Sequence, residues 1–182
     1  DCLLSRGLGD VYKRQRFVFP HAPAIPVTIN QGYVMPAWYD ILEMSLERKI
    51  DTAQIEQSAR AIGELIAREA ERGVSPEHIV IAGFSQGGAV AYQTALTYDK
   101  PLAGLLTLST YLATKDSIVL SDANKNLNIA IHHGTQDPVV PVQLGQEAKA
   151  WLESKGYQPQ FYSYPMAHQA VSYTHLRAHE TR

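Results

Sequence analysis

Apolar residues in the first half of the chain recur with the period of an amphipathic helix. Between residues 51 and 72 they appear every three or four positions, at Ile55, Ala59, Ile62 and Ile66. This spacing lines one face of a helix. Asp51-Thr52 supplies a capping side chain at its start, and Gly73 supplies a stop just beyond its end. The pattern therefore predicts a long helix that ends near Arg72.

Beyond this helix, short apolar runs alternate with further helix-compatible stretches. The runs cover residues 78–82, 102–108, 127–132 and 160–164, and the stretches cover 89–98 and 142–155. The first run is centred on Ile79-Val80-Ile81 and has the continuous apolar character of a strand buried on both sides. Strands that alternate with helices predict an α/β fold, with a mostly parallel sheet and helices on both of its faces.

The segment ahead of the long helix is irregular. Phe17-Val18-Phe19 predicts a short strand, and Pro20, Pro23 and Pro26 predict an extended loop after it. Residues 30–40 are rich in aromatic side chains and follow no period. Because no repeat or linker divides the chain, we expect one domain over residues 16–170.

The two ends differ in character from this middle. Residues 1–15 mix charged residues and glycines with no sustained period, and residues 171–182 carry basic and aromatic side chains with no apolar face. Both strings also resemble in-frame translations of adapter DNA. We therefore expect them to be foreign or disordered ends that lie outside the domain.

A candidate nucleophile stands between the first apolar run and the helix that follows it. Gly83-x-Ser85-x-Gly87 fits a nucleophile elbow, in which the serine sits on a strained strand-to-helix turn with a positive φ. Small residues two positions before and after the serine let the backbone approach its neighbours. The backbone N–H of Gln86 is the expected first donor of an oxyanion hole. The bare pattern also occurs in glycine-rich helix starts, but its strand–helix context favours Ser85 as a nucleophile.

An acid and a base follow this serine in the chain order that the α/β-hydrolase type of triad requires. Asp137 lies in the loop after a strand-like run and ahead of a helix, where its alternative role is to cap that helix. His168 follows the last strand-like run and is the expected base. His132 and His133 are rivals for that role, but they precede the acid and break the order.

The composition of the chain limits the classes of partner and cofactor that we expect. A hydrophobic fraction of 45% and a formal net charge of -2 give no reason to expect nucleic acid or an anionic membrane. No apolar run reaches the roughly 18 residues that a membrane-spanning helix needs, so we do not expect an integral membrane protein. The single cysteine, Cys2, cannot close an internal disulfide. No Cys and His cluster has ligand spacing, so we expect neither a metal nor an organic cofactor.

The middle of the chain resembles the phospholipase/carboxylesterase family, which includes bacterial carboxylesterases and acyl-protein thioesterases. The resemblance runs from about Arg16 to Gln169 and is carried by several strings in order. They are Phe19-Pro20-His21-Ala22-Pro23, Met35-Pro36-Ala37-Trp38-Tyr39-Asp40-Ile41, Gly83-Phe84-Ser85-Gln86-Gly87-Gly88, Leu108-Ser109-Thr110-Tyr111-Leu112, His133-Gly134-Thr135-Gln136-Asp137-Pro138-Val139-Val140-Pro141 and Tyr164-Pro165-Met166-Ala167-His168.

This resemblance implies an α/β-hydrolase fold and the roles of nucleophile, acid and base for Ser85, Asp137 and His168. It implies a serine hydrolase that cleaves carboxylic esters or acyl thioesters through an acyl-enzyme intermediate. It also implies a small-molecule ester or acyl-thioester as substrate, a cytoplasmic location and a homodimer as a candidate assembly. Two other functions stay open: an inactive binding module that kept the fold, and another hydrolase such as a peptidase or lactonase.

The chain departs from the family at its start. The family's second oxyanion donor comes from a His-Gly-Leu-Gly loop, but here Gly7-Leu8-Gly9 follows Arg6 and is not assigned that role. We therefore expect N-terminal strands of the fold to be missing, and we expect the chain as written to fold poorly and work weakly. Trp38 and Tyr39 are candidates either for lining an acyl pocket or for the core beneath a long loop.

Overall fold

The computed structural model describes residues 15–43 and 48–169. The predicted foreign ends, including Gly7-Leu8-Gly9, lie outside the described residues except for Gln15. The helices and longer strands in the described part follow one another in chain order. They are β1 (Ala24–Val27), β2 (Tyr33–Pro36), α1 (Thr52–Glu71), β3 (Val80–Phe84), α2 (Gln86–Thr97), β4 (Gly104–Leu108), β5 (Ile129–Gly134), α3 (Val142–Ser154) and β6 (Gln160–Tyr164).

Strands β3 to β6 form a parallel sheet in the order β3-β4-β5-β6. This confirms the predicted parallel sheet, and the bounds of β6 match the predicted run. Because the strands are parallel, their carboxyl ends meet at one edge of the sheet, which is where ligands bind in open α/β folds. The loops that follow β3, β5 and β6 therefore all open at that edge.

The described helices cover one face of this sheet. Ile81, Leu105 and Ile131 point to that face and lie in the same buried cluster as residues of α1, α2 and α3. The opposite face is open on β3, where Val80 is 57% exposed. Successive strands are added in one direction, and right-handed crossovers then place α2 and α3 on the same side.

We expected helices on both faces of the sheet. Within residues 15–43 and 48–169, helices cover one of the two faces. The prediction that the strand around Val80 is buried on both sides is wrong. An unbroken apolar run does not reveal which of its two faces a helix will cover.

Helix α1 follows its predicted course. The Asp51 side chain caps it by accepting a hydrogen bond from the Gln54 N–H at 3.0 Å. Ile55, Ala59 and Ile66 are buried along its apolar face, which packs on α2. These observations confirm both the predicted cap and the predicted face. No helix in the described part of the chain is long and apolar enough to cross a bilayer.

The segment ahead of α1 differs from its prediction. Phe17-Val18-Phe19 forms no strand, because no described segment pairs with it, and both phenylalanine rings are exposed. The predicted loop contains an antiparallel hairpin of β1 and β2, joined through Gln31 and Gly32, whose φ angles are 58° and 75°. Pro26, one of the prolines that suggested a loop, lies within β1, because proline is tolerated in short edge strands.

Candidate active site

Ser85 lies on the turn between β3 and α2 with a φ of 52°, the left-handed region that non-glycine residues rarely adopt. Its backbone is held on both sides. The Ser85 N–H donates to the Leu108 carbonyl at 3.0 Å, and the Thr110 hydroxyl donates to the Ser85 carbonyl at 2.6 Å. These bonds to the end of β4 and the loop after it keep the strained turn in place. The turn has the predicted elbow geometry.

The glycines around Ser85 are not equally constrained. A Cβ at Gly83 would lie 2.2 Å from the carbonyl oxygen of Gly87, and one at Gly88 would lie 2.5 Å from Thr110 Cγ2. A Cβ at Gly87 would meet Trp38 Nε1 at 3.6 Å, which is ordinary contact. The prediction of a close approach two positions before the serine is confirmed. Two positions after the serine it is wrong, since the tight position there is Gly88.

The structure brings the three predicted side chains into one hydrogen-bonded chain. His168 Nε2 lies 3.0 Å from Ser85 Oγ, and His168 Nδ1 lies 2.7 Å from Asp137 Oδ2. Because an ionised carboxylate only accepts, Nδ1 carries the proton and Nε2 is left to accept the serine hydroxyl proton. The His168 ring also packs against Phe84, with ring centroids 4.8 Å apart.

The acid loop, residues 135–140, directs Asp137 toward this chain. Asp137 Oδ1 accepts the N–H groups of Val139 and Val140 at 2.9 and 2.8 Å, which leaves Oδ2 for His168. Burial by itself raises the pKa of Asp137, but the hydrogen bonds from Val140, His168 and Val139 outweigh it and lower that pKa. Asp137 is therefore a carboxylate at neutral pH. It does not cap α3, whose N-cap is Pro141.

Gln86 has two connections at the site. It is the first residue of α2, so its backbone N–H has no acceptor within the helix and stands beside Ser85. Its side chain binds a distant loop: Oε1 accepts the Trp38 N–H at 3.1 Å, and Nε2 donates to the Tyr39 carbonyl at 3.0 Å. This carboxamide could not be assigned from the sequence, because nothing in the motif indicates where a glutamine side chain of the elbow points.

The two aromatic candidates separate in the structure. Tyr39 is fully buried, and its hydroxyl lies 2.8 Å from the Tyr111 hydroxyl. Burial raises the pKa of Tyr39 well above its usual range. Tyr39 is thus a core residue, as one of its two readings predicts. Trp38 is half-buried with its indole nitrogen near Gly87, so it stands beside the first turn of α2.

The rival histidines make other contacts. His132 Nδ1 lies 2.8 Å from the Tyr164 hydroxyl, and His133 Nε2 lies 2.8 Å from the Val140 carbonyl oxygen. Both residues are on β5, where adjacent side chains point to opposite faces of the sheet. Within the described ranges, no group of three His, Cys, Asp or Glu side chains could hold a metal ion.

The chain is similar to known proteins in both sequence and structure. The phospholipase/carboxylesterase sequence profile matches residues 10–179. Acyl-protein thioesterase 1 of Gibberella zeae is 39% identical over 166 residues, covering 86% of this chain and 71% of that protein. Acyl-protein thioesterase 1 of Neurospora crassa is 39% identical over 165 residues, covering 85% and 67%.

Solved structures agree with these relatives. The crystal structure of Arabidopsis thaliana SOBER1 has a TM-score of 0.85 and 29% identity, covering 95% of this chain and 84% of that one. Zea mays acyl-protein thioesterase 2 has a TM-score of 0.72 and 26% identity, covering 87% and 76%. These similarities confirm the predicted α/β-hydrolase fold and the predicted class of serine hydrolase acting on esters or thioesters. The chain belongs to the phospholipase/carboxylesterase family.

Proposed function

We propose that the chain hydrolyses acyl esters and acyl thioesters with Ser85 as nucleophile, His168 as general base and Asp137 as the acid that orients the base. The observation that carries this proposal is the pair of hydrogen bonds at 3.0 and 2.7 Å that joins serine hydroxyl, imidazole and carboxylate. Nucleophile, base and orienting group in hydrogen-bond reach are the arrangement that nucleophilic catalysis needs.

In the acylation step, Ser85 Oγ attacks the carbonyl carbon while His168 Nε2 takes the hydroxyl proton. Asp137 holds the Nδ1 proton in place and stabilises the imidazolium. The tetrahedral intermediate then collapses, and the leaving thiolate or alkoxide takes the proton from Nε2. Water, deprotonated by the same imidazole, attacks the acyl-enzyme and releases the carboxylic acid with Ser85 restored.

The backbone N–H of Gln86 is the proposed donor to the oxyanion that forms in both steps. It belongs to the first turn of α2, where unpaired N–H groups and the helix dipole favour negative charge. Loss of one such donor typically costs about 10²–10³ in kcat. The Gln86 carboxamide supports this role, because its bonds to Trp38 and Tyr39 fix the residue that carries the donor.

Acyl thioesters on proteins are the substrate class that we propose first, because the relatives at 39% identity are named acyl-protein thioesterases. A panel of p-nitrophenyl esters, acyl thioesters, lactones and peptides would test this choice. We expect hydrolysis of thioesters and esters, and its loss in Ser85→Ala. Cleavage of peptides or lactones in preference to both would favour the other hydrolases. A folded protein with no Ser85-dependent turnover would favour the binding module.

Location, assembly and domain extent are part of the same proposal. The cytoplasm and a homodimer are what the family resemblance implies, and a single domain over residues 16–170 is proposed because no repeat or linker divides the sequence. Sedimentation of the purified chain would test the homodimer: a mass of twice 20.2 kDa would support it, and 20.2 kDa would contradict it. Fractionation of the producing cell would test the cytoplasmic location.

A further inference from the structure

His133 is a core residue that contacts a backbone carbonyl of the acid loop. It is fully buried, and its Nε2 lies 2.8 Å from the carbonyl oxygen of Val140. On the other side of the ring, Nδ1 has no hydrogen-bond partner among the described residues and faces Gly145. A Cβ at Gly145 would lie 2.5 Å from Nδ1, so the ring fills the space that this glycine leaves. The imidazole is thus confined to one position.

The protonation state of this ring follows from its surroundings. Burial lowers the pKa of His133, and the Val140 carbonyl and the Asp137 carboxylate oppose that effect only in part. The ionisable groups that face it are Asp137, whose Oδ2 is 3.9 Å from Nε2, and His168. A neutral ring with an unpartnered Nδ1 carries its proton on Nε2, where it donates to Val140. His133 therefore acts as a neutral donor.

Arg48, which lies ahead of α1 in the chain, binds the carbonyl of Val139, next to the one that His133 binds. Its Nη2 donates to the carbonyl oxygen of Val139, and its guanidinium stands 4.9 Å from the centroid of the Tyr111 ring. The Val139 carbonyl and the Val140 N–H belong to the same peptide group. That N–H donates to Asp137 Oδ1 at 2.8 Å. A charged donor on the carbonyl polarises the peptide and strengthens the bond that its N–H makes.

We propose that His133 and Arg48 are positioning residues for the acid: by holding the carbonyls of Val140 and Val139, they keep the N–H groups of the acid loop aimed at Asp137 Oδ1, so that Oδ2 stays on His168. This inference rests on the proposed function of that site. It assigns a role to a histidine that the triad leaves unused and to a cation that is only 9% exposed. Neither residue touches the reacting atoms.

The test compares two substitutions of the same position. His133→Met keeps the volume and removes the donor, whereas His133→Gln can place an amide N–H near the former Nε2. We expect His133→Met to lower kcat by about 10- to 100-fold with little change in KM, as loss of a group that orients a catalytic side chain does. We expect His133→Gln to restore most of that loss. Equal kcat values in the two variants would overturn the proposal.

A second measurement reads the positioning without turnover. The carboxyl carbon of Asp137 can be titrated by NMR in the parent and in both variants. Because the loop N–H groups lower the pKa of Asp137, we expect its midpoint to rise in His133→Met and to stay near the parent value in His133→Gln. An unchanged midpoint in His133→Met would overturn the proposal, even if no Ser85-dependent hydrolysis were found and the proposed function had failed.

A second pair of variants covers the case in which His133→Met does not fold. Arg48→Met removes the charged donor on the Val139 carbonyl, and Arg48→Lys keeps a cation with a hydrogen-bond donor. We expect the same order of kcat and of Asp137 midpoints as in the His133 pair. If Arg48→Met matches the parent in both measurements, the proposal is wrong.

Discussion

Replacing Gly83 with alanine perturbs the elbow at its closest backbone contact. The added Cβ would lie 2.2 Å from the carbonyl oxygen of Gly87 and 2.4 Å from its carbonyl carbon. Both are backbone atoms of α2, so neither can rotate away, and the helix has to move relative to β3. The matched control is Gly87→Ala, where the new Cβ meets a tryptophan side chain at 3.6 Å.

Gly83→Ala should therefore lower the stability of the fold, and Gly87→Ala should not. Overpacking costs about 1–3 kcal/mol, and the rigid backbone places Gly83→Ala at the upper end of that range. Since about 1 kcal/mol moves Tm by roughly 2–4 °C in a chain of this size, we expect Gly83→Ala to lower Tm by roughly 6–12 °C. Gly87→Ala should hold or raise Tm, because alanine is favoured over glycine inside a helix by about 0.5–1 kcal/mol.

Circular-dichroism melts of the parent and the two variants would measure these shifts. Rates of p-nitrophenyl ester hydrolysis would show whether the turn at Ser85 is still intact in each variant. We expect Gly83→Ala to lose activity together with stability, and Gly87→Ala to keep its fold. A Gly83→Ala protein with the parent's Tm, or equal losses of Tm at the two glycines, would refute the packing argument.

Three further predictions concern Asp137 and Gln86. Asp137→Asn should lower kcat about 10⁴-fold while the fold persists, because the amide presents the wrong partner to Nδ1; steady-state kinetics beside a melt would check this, and a loss of less than tenfold would contradict it. The lowered pKa of Asp137 means that its carboxylate adds stability fully above the unfolded value of 3.8 and loses it as pH falls through the folded value. The stability difference between parent and Asp137→Asn should thus shrink below pH 3.8 in acid titrations and would be constant if the reasoning failed. Gln86→Met should lose both hydrogen bonds to the Trp38-Tyr39 backbone and lower the free energy of unfolding by about 1–3 kcal/mol, as measured by urea denaturation. An unchanged urea midpoint would argue against a stabilising role for these two bonds.

The sheet and the order of its elements were within reach of sequence reasoning. The apolar spacing and the Asp51 cap predict α1 because a helix needs a buried stripe and a satisfied first turn, and both are local properties. The run 160–164 coincides with β6, and parallel strands follow from their alternation with helices. The residues of the triad could be proposed because each stands in a loop after a strand, in a fixed chain order.

Other features depend on contacts that no local pattern encodes. Val80 is apolar whether or not a helix covers it. Its exposure could be predicted only from the direction of the crossovers, which decides the face of the sheet that the helices cover. The hairpin of β1 and β2 was not predicted, because Pro26 indicated a loop and residues 30–40 follow no period. Its two strands pair with each other in a sheet of their own.

Most of the side-chain support around the triad could not be predicted from the sequence either. The Gln86 carboxamide binds a loop 47 and 48 positions away, and His133 differs from its neighbour His132 only in the face of β5 to which it points. Long-range bonds of this kind are set by tertiary packing rather than by residue type or spacing. The histidine doublet was the one available signal, because adjacent strand residues must serve different faces.

The most direct test of the account is covalent labelling with a fluorophosphonate, followed by intact-mass analysis and peptide mapping. The probe reacts with a serine hydroxyl only when a neighbouring base activates it. We predict one adduct, on Ser85, that is absent from Ser85→Ala and forms far more slowly in His168→Ala. A folded parent chain that takes no adduct, or that labels at the same rate without His168, would contradict the assignment of Ser85 as an activated nucleophile.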